Sequence, residues 1–135
     1  YIESRNNKRI QCTNALFSER MLIEIDNSVT HIFIDEGQWV NKDRPGYAKS
    51  LSDKGIVIYV SLLDRDYTGR EFDIYKKWVE VADEIEHLYA ICAVTRGYAD
   101  YSELLTDHES TRKEDYRAVC WDVFKKSKHS RIGKP

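Results

Sequence analysis

The chain has 135 residues, enough for a single domain around one hydrophobic core. Its 21 basic and 23 acidic side chains give a formal net charge of −2, so charge gives no indication of a nucleic-acid or membrane-surface partner. The 41% content of hydrophobic residues excludes general disorder, and no apolar stretch is long enough to span a bilayer.

Two hydrophobic runs predict neighbouring parallel strands with a short helix between them. The runs cover residues 30–34 and 56–60, and both are nearly continuous in β-branched and aromatic residues. Such runs are typical of strands that are covered on both faces. Between them, residues 46–54 predict a short helix that ends at Gly55.

The second half of the chain begins with an amphipathic pattern and then becomes richer in strands. Apolar residues recur at helical spacing at Phe72, Tyr75, Val79, Ala82, Ile85 and Leu88. Residues 87–94 predict a strand, residues 97–102 its antiparallel partner, and residues 114–128 a strand followed by a helix. The pattern as a whole predicts an α/β protein with a small β-rich subdomain like a lid.

Two adjacent acids, Asp35 and Glu36, follow the first predicted strand directly. This places carboxylates at the carboxyl edge of a parallel sheet, where ligands bind. In phosphoryl transfer, one such acid can hold Mg²⁺ while its neighbour accepts the proton of the attacking hydroxyl. A buried strand that simply emerges into water gives the same pattern, so the motif alone leaves both interpretations open.

Four ordered blocks give this motif a family context. They are Ile-Phe-Ile-Asp-Glu-Gly-Gln at 32–38, the segments 61–72 and 82–92, and Tyr-Arg-Ala-Val-Cys at 116–120. In order and spacing they resemble the tetrameric, zinc-containing thymidine kinases of cells and poxviruses, over roughly residues 3–126. The resemblance implies a P-loop-kinase-like parallel sheet core with a small β-rich lid subdomain. The implied division is an α/β core at 1–88 (the second half of a thymidine kinase core), a lid at 89–128 and a flexible tail at 129–135.

The resemblance also implies roles for individual residues. Glu36 corresponds to the catalytic base that takes the proton from the nucleoside 5′-hydroxyl, and Asp35 corresponds to the Mg²⁺-linked acid. The positions that it implies for nucleoside binding are Leu63, Tyr67, Phe72, Ser102 and Tyr116.

The phosphate-binding loop of the family, Gly-x-x-x-x-Gly-Lys-Ser/Thr, does not occur in the sequence. That loop supplies the backbone N–H groups and the lysine that hold the phosphates of ATP. Glu3-Ser4-Arg5 resembles the Asp-x-Arg segment that follows the family's second strand, which would place the loop before Tyr1. We therefore expect either an N-terminally truncated family member or a degenerate one that does not bind ATP in the family's way.

Half of the family's zinc ligands are also replaced. The two Cys-x-x-Cys or Cys-x-x-His pairs of the family correspond here to Cys92 with Thr95 and to Cys120 with Val123. Because two thiols remain of four ligands, we expect buried free cysteines and no zinc. The residues expected to form a core in its place are Leu88, Ile91, Val119, Val123 and Phe124.

Two functions from different classes remain open. The first is a thymidine kinase, using ATP and Mg²⁺ to phosphorylate thymidine for DNA synthesis, provided that a P-loop precedes Tyr1. The second is a non-catalytic relative that serves as a scaffold or assembly subunit. Either would form a homo-oligomer or a larger protein assembly, without a membrane or nucleic acid as partner. Three cysteines without a disulfide framework indicate the cytoplasm or an organelle with a reducing interior.

Overall fold

The computed structural model of the chain describes residues 2–3, 9–10 and 25–132. The chain divides into two units, Tyr1–Ser61 and Leu62–Pro135. The described residues form a small α/β fold with short two-stranded sheets and three α-helices. No helix in this part of the chain is long and apolar enough to cross a membrane.

The first unit contains two of the sheets. Strand β1 (Ile2–Glu3) pairs antiparallel with β2 (Arg9–Ile10). Strand β3 (His31–Ile34) pairs parallel with β4 (Val57–Val60), with Ile34 opposite Val60. Helix α1 (Arg44–Asp53) connects β3 to β4. The prediction of two parallel strands joined by a short helix is therefore confirmed.

Burial in this sheet differs from the prediction. Ile32 and Ile34 are buried on one face of β3. On the other face Phe33 is 69% exposed and Tyr59 is 54% exposed, and their rings stack at 5.1 Å. The prediction that both faces are covered is wrong for these strands. An apolar run does not distinguish one covered face from two, because aromatic side chains of neighbouring strands can cover each other.

The second unit begins with a helix that is shorter than its apolar pattern. Helix α2 (Asp73–Val81) buries Ile74 and Trp78, but Ile85 and Leu88 of the predicted helix lie beyond its end and are exposed. Acidic side chains occupy the last turn and the residues after it, at Glu80, Asp83, Glu84 and Glu86. Negative charge there opposes the helix dipole, which gives a physical reason for the early end.

Two antiparallel strand pairs and a short helix follow. Strand β5 (Ala90–Ile91) pairs with β6 (Tyr98–Ala99), and β7 (Tyr101–Leu104) pairs with β8 (Tyr116–Val119). Helix α3 (Trp121–Phe124) completes the predicted strand-then-helix order. The antiparallel pairing of the two central segments is confirmed, although the first strand is shorter than predicted and the second is interrupted at Asp100.

The core of the second unit also differs from the expected set. It consists of Cys92, Ala99, Val119 and Phe124, with the ring of Tyr101 stacked on that of Phe124 at 4.6 Å. Val123 packs against it as expected, but Leu88 is 80% exposed and Ile91 is 56% exposed. The expectation that these two residues belong to the core is therefore wrong. Leu88 lies beyond the end of α2, and Ile91 lies on β5, whose two residues are both exposed.

Residues 129–132, which belong to the segment predicted as a flexible tail, make several contacts with the rest of the second unit. The N–H of Arg131 donates to the carbonyl of Thr68 over 2.9 Å, and Ser130 is buried. A Cβ added to Gly69 would lie 2.7 Å from Ile132 Cδ1. These residues therefore pack against the loop that carries Thr68. The domain boundaries at residues 88 and 128 stay predictions.

Candidate functional site

The two acids of the motif lie at the carboxyl ends of β3 and β4. Asp35 Oδ1 accepts a hydrogen bond of 2.6 Å from the Ser61 hydroxyl and one of 3.0 Å from the N–H of Glu36. The N–H of Ser61 donates to the carbonyl of Ile34, and the N–H of Gly37 donates to the carbonyl of Ser61, both over 2.9 Å. Backbone and side-chain bonds thus fix the position of the Asp35 carboxylate at this edge.

Glu36 has a left-handed backbone conformation, with φ 55° and ψ 45°. For a residue with a side chain this conformation costs on the order of 1–2 kcal/mol. Its carboxylate Oε2 accepts a hydrogen bond from the Nε2 amide of Gln38, which is buried. Glu36 itself is exposed. Strained backbone that carries an oriented, exposed carboxylate is typical of functional sites.

The chemistry of this edge suits a divalent cation and a proton acceptor. Mg²⁺ prefers hard oxygen ligands and is usually held by one or two carboxylates together with phosphates. Asp35, beside the Ser61 hydroxyl, is a donor of that kind, and Glu36 adds a second carboxylate, a group that can accept a proton. The structure places Asp35 and Glu36 together, while their individual roles stay predictions.

In the second unit, three aromatic rings form an edge-to-face group. The ring of Tyr67 lies 6.5 Å from that of Tyr116 and 5.7 Å from that of His129. Asp66 fixes the loop that carries Tyr67, because its Oδ1 accepts hydrogen bonds from the N–H and the hydroxyl of Thr68. The group presents aromatic surface of the kind that binds a planar base.

Tyr116 also organises the loop between β7 and β8. Its hydroxyl donates to the carbonyl of Ser110 over 2.6 Å, and the Ser110 hydroxyl donates to Asp115 Oδ2 over 2.5 Å. The N–H of Leu105 donates to the carbonyl of Asp115 over 2.8 Å. The loop over residues 105–115 is therefore closed by bonds that converge on Tyr116 and its neighbour.

The other predicted nucleoside-binding residues lie elsewhere in the same unit. Leu63 follows β4 and is 51% exposed. Phe72 precedes α2, and its N–H donates to the carbonyl of Asp64 over 2.9 Å. Ser102 lies on β7 opposite Ala118. The structure thus groups Tyr67 with Tyr116 by ring contact and places the remaining three residues on separate elements.

Cys92 and Cys120 are free thiols joined through Thr95. The N–H of Thr95 donates to Cys92 Sγ over 3.4 Å, and its hydroxyl donates to Cys120 Sγ over 3.6 Å. Val123 contributes no donor atom to this group. Two thiols, a hydroxyl and a valine do not make the closed tetrahedral set of sulfur and nitrogen ligands that structural zinc requires. The expectation of no zinc here stays a prediction.

The thiol of Cys92 has an unusual acidity for a buried group. Burial raises its pKa, but hydrogen bonds from the hydroxyl and N–H of Thr95, and from the N–H groups of Cys120 and Val94, lower the pKa more, to about 6. The hydroxyl of Thr95 has a single proton, so it serves one sulfur at a time. Thr95 thus contacts Cys92 through its N–H and Cys120 through its hydroxyl.

Sequence reasoning missed three residues around these groups: Ser61, Gln38 and His129. A signal existed for Ser61, which follows β4 directly just as Asp35 follows β3. Gln38 lies two residues after Glu36, within reach of its carboxylate. No sequence pattern indicated that His129 packs against Tyr67, because that contact depends on the path of the chain after α3.

Comparison with known proteins gives a consistent result. The family model described as thymidine kinase matches residues 2–124. A thymidine kinase of Mycoplasma mobile is 28% identical over 123 residues, which are 88% of this chain and 62% of that protein. A Rhodothermus thymidine kinase is 30% identical over 108 residues, 80% of this chain and 50% of that protein. The sheeppox virus thymidine kinase is 28% identical over 93 residues, 66% and 52% of the two chains.

Proposed function

Since the chain belongs to the thymidine kinase family, we propose that it carries the thymidine-binding and proton-accepting part of a thymidine kinase. The observation that supports this most strongly is the pair of carboxylates, Asp35 and Glu36, oriented at the shared edge of two parallel strands. The chain spans about 50–62% of the length of the curated relatives described above. The complete reaction is therefore proposed for the full-length protein.

In the proposed reaction, Glu36 accepts the proton of the thymidine 5′-hydroxyl. The 5′-oxygen forms a bond to the γ-phosphorus of ATP while the bond from that phosphorus to the bridging oxygen breaks, and ADP leaves. Gln38 donates a hydrogen bond to one carboxylate oxygen of Glu36 and so orients this catalytic base. Asp35, fixed by Ser61, would hold Mg²⁺, which neutralises charge on the transferring phosphoryl group.

The thymine base would be held in the second unit by Tyr67 and Tyr116. Their rings form part of one aromatic group, and Tyr116 closes the 105–115 loop through Ser110. Stacking of a base on an aromatic side chain contributes about 1–3 kcal/mol. Leu63, Phe72 and Ser102 are proposed to complete the contacts with the nucleoside. The ATP phosphates would require a P-loop, a motif that residues 1–135 lack, so phosphoryl transfer is proposed on the condition that the protein carries one. The protein is also proposed to form a homo-oligomer or a larger assembly within a reducing compartment such as the cytoplasm.

A second function, a non-catalytic member of the family that serves as a scaffold, is favoured by one specific observation. Thr95 and Val123 occupy positions where the family's pattern has metal ligands, and Thr95 instead bonds the two remaining thiols. Hydrogen bonds and packing in place of a structural metal would keep this unit folded. A folded unit is all that a scaffold needs, whether or not the protein is catalytically active. Thymidine turnover by the full-length protein distinguishes the two functions.

Thymidine binding can be tested on residues 1–135 by calorimetry. We expect Tyr67→Ala to weaken binding about 10- to 100-fold, because it removes one stacking surface. Tyr98→Ala is the matched control, since Tyr98 is a tyrosine of the same unit that is 78% exposed. Equal affinity in the Tyr67→Ala and Tyr98→Ala variants, or no thymidine binding by the wild-type chain, would refute the proposed nucleoside site.

A further inference from the structure

Three side chains with metal-ligating atoms converge in the second unit, and none of them belongs to the cysteine pair or to the aromatic group. They are Asp64, His87 and Asp100, and one ligand atom from each lies within 4.8 Å of the others. Asp64 and Asp100 are partly buried, and His87 is exposed. The residues come from three different segments of the chain, so their convergence is a product of the fold and not of sequence proximity.

The spacing of these atoms fits a shared cation. Ligands about 2.1 Å from a tetrahedral metal ion lie roughly 3.4 Å from one another. His87 Nε2 and Asp64 Oδ2 are 3.6 Å apart, longer than a good hydrogen bond and close to that ligand–ligand distance. The ligand atom of Asp100 lies within 4.8 Å of the other two, which is at most about 1.4 Å more than the ligand–ligand distance of a tetrahedral ion.

The backbone around Asp64 and Asp100 is held by hydrogen bonds and strand pairing. The carbonyl of Asp64 accepts the N–H of Phe72 over 2.9 Å, and a bridge between Arg65 and Glu71 closes the same loop. Asp100 lies between β6 and β7, each of which is paired with another strand. His87 precedes β5, with its ring 5.8 Å from that of Tyr89.

Arg65 is a cationic neighbour of the cluster and is hydrogen-bonded to Tyr101. Arg65 donates through Nη1 to the Tyr101 hydroxyl over 2.5 Å, and its guanidinium lies 4.9 Å from the centre of the Tyr101 ring. Its Nε is 3.7 Å from Asp64 Oδ2, outside hydrogen-bond distance. This distance is within that of an ion pair. With the guanidinium of Arg65 counted, the two carboxylates leave a formal charge of −1, so the cluster still attracts a cation.

We propose that Asp64, His87 and Asp100 bind a divalent first-row transition-metal ion, such as Mn²⁺, Co²⁺ or Zn²⁺. One imidazole and two carboxylates form a mixed nitrogen and oxygen donor set that suits these ions better than Ca²⁺ or Mg²⁺, and water completes the coordination. The bound ion joins the loop of residues 64–72 to the β6–β7 junction. It thereby stabilises the loop that carries Tyr67, independently of the two cysteines.

Titration of the purified chain with Co²⁺, followed by absorption spectroscopy and calorimetry, tests this site. We expect one equivalent to bind with the weak ligand-field bands of nitrogen and oxygen ligands and without thiolate charge-transfer bands. Loss of a residue that only supports a metal ligand lowers metal affinity about 10- to 100-fold. His87→Gln and Asp100→Asn each remove a direct ligand, so we expect each to lower the Co²⁺ affinity by at least that factor. His108→Gln, which changes another exposed histidine of the same unit, should leave the affinity unchanged.

Three results would overturn the proposal. The first is wild-type affinity for Co²⁺ in His87→Gln and Asp100→Asn. The second is the appearance of thiolate charge-transfer bands, which would place the ion at the cysteines. The third is no binding at millimolar Co²⁺. Because His87 and Asp100 are not among the residues proposed for thymidine kinase chemistry, the outcome does not depend on whether the chain binds thymidine. A raised melting temperature with Co²⁺, lost in His87→Gln and kept in His108→Gln, is the expected second readout.

Discussion

The Ser61 hydroxyl donates a hydrogen bond of 2.6 Å to Asp35 Oδ1, although 26 positions separate the two residues in the sequence. Parallel pairing explains this contact. Ile34 lies opposite Val60, so the next residue of each strand leaves the sheet at the same edge. The carboxylate proposed to hold Mg²⁺ is therefore positioned by the neighbouring strand, and its orientation depends on the register of β3 with β4.

Replacement of Ser61 tests this contact. We expect Ser61→Ala to lower the free energy of unfolding by about 0.5–1.5 kcal/mol, the net contribution of a typical intramolecular hydrogen bond. The matched control is Ser50→Ala in α1, where the serine hydroxyl bonds the carbonyl of Gly46 and alanine is the better helix former. Urea denaturation measures both variants. Equal destabilisation by both would contradict the importance of the Ser61–Asp35 bond.

Gly69 provides a test of how the end of the described chain packs. It has φ +84°, and an added Cβ would lie 2.7 Å from Ile132 Cδ1 and 2.8 Å from Phe124 Cε1. We expect Gly69→Ala to cost about 2–4 kcal/mol of stability, from backbone strain together with overpacking. Gly55 has φ +93° with nothing within 4 Å of an added Cβ.

Gly55→Ala is therefore the control for backbone strain alone, with an expected cost of about 1–2 kcal/mol. Thermal and urea unfolding of the two variants give the comparison. A cost for Gly69→Ala no larger than that for Gly55→Ala would show that residue 132 does not pack against this loop.

The charge of Cys92 predicts a pH dependence of stability. Its pKa is about 6 in the folded chain, against 9.0 for an ordinary thiol. Because the folded pKa is the lower one, the stabilisation is fully present above about pH 9 and is lost as the pH falls through about 6. Between these values the contribution of Cys92 makes the free energy of unfolding rise with pH.

Thr95→Val removes the hydroxyl that lowers this pKa. We expect the rise in stability between pH 6 and 9 to become shallower in this variant, as measured by urea unfolding at a series of pH values. Thr106→Val is the control, since the hydroxyl of Thr106 bonds the carbonyl of His108 and neither cysteine. An unchanged pH dependence in Thr95→Val would exclude the hydroxyl as the cause.

Much of the parallel β-α-β arrangement of the first unit could be predicted from the sequence. The apolar runs that became β3 and β4 were long enough to identify, and Gly55 correctly indicated the end of α1. The adjacent acids also indicated an edge of the sheet. The left-handed backbone of Glu36 could not be predicted, because glutamate rarely adopts it and no glycine at that position indicated a turn.

The second unit was harder to predict because its contacts depend on long-range packing. The apolar periodicity continued through Ile85 and Leu88, but α2 ends at Val81; periodicity reports which residues could share a face and not where charge ends the helix. The group of Tyr67, Tyr116 and His129 joins segments far apart in the sequence. Tyr67 and Tyr116 were found through the family pattern, whereas His129 lies outside the region that the pattern covers.

The segment Glu3-Ser4-Arg5, which resembles the family's Asp-x-Arg segment, lies mostly outside the described residues, as does Cys12. We expect no ATP binding at millimolar concentration by residues 1–135 alone, because their sequence lacks the glycine-rich phosphate loop. The phosphoryl-transfer reaction is therefore measured on a form of the protein that includes a P-loop.

The central claim is that Glu36 is the proton acceptor in thymidine phosphorylation, and Glu36→Gln tests it most directly because glutamine keeps the size of the side chain and removes the base. The measurement is the rate at which the full-length protein transfers phosphate from radiolabelled ATP to thymidine, together with the thymidine dissociation constant. We predict a rate about 10²- to 10⁴-fold lower than that of the wild type, with thymidine affinity unchanged. Wild-type turnover in Glu36→Gln, or thymidine binding without turnover in the wild-type protein, would contradict the claim.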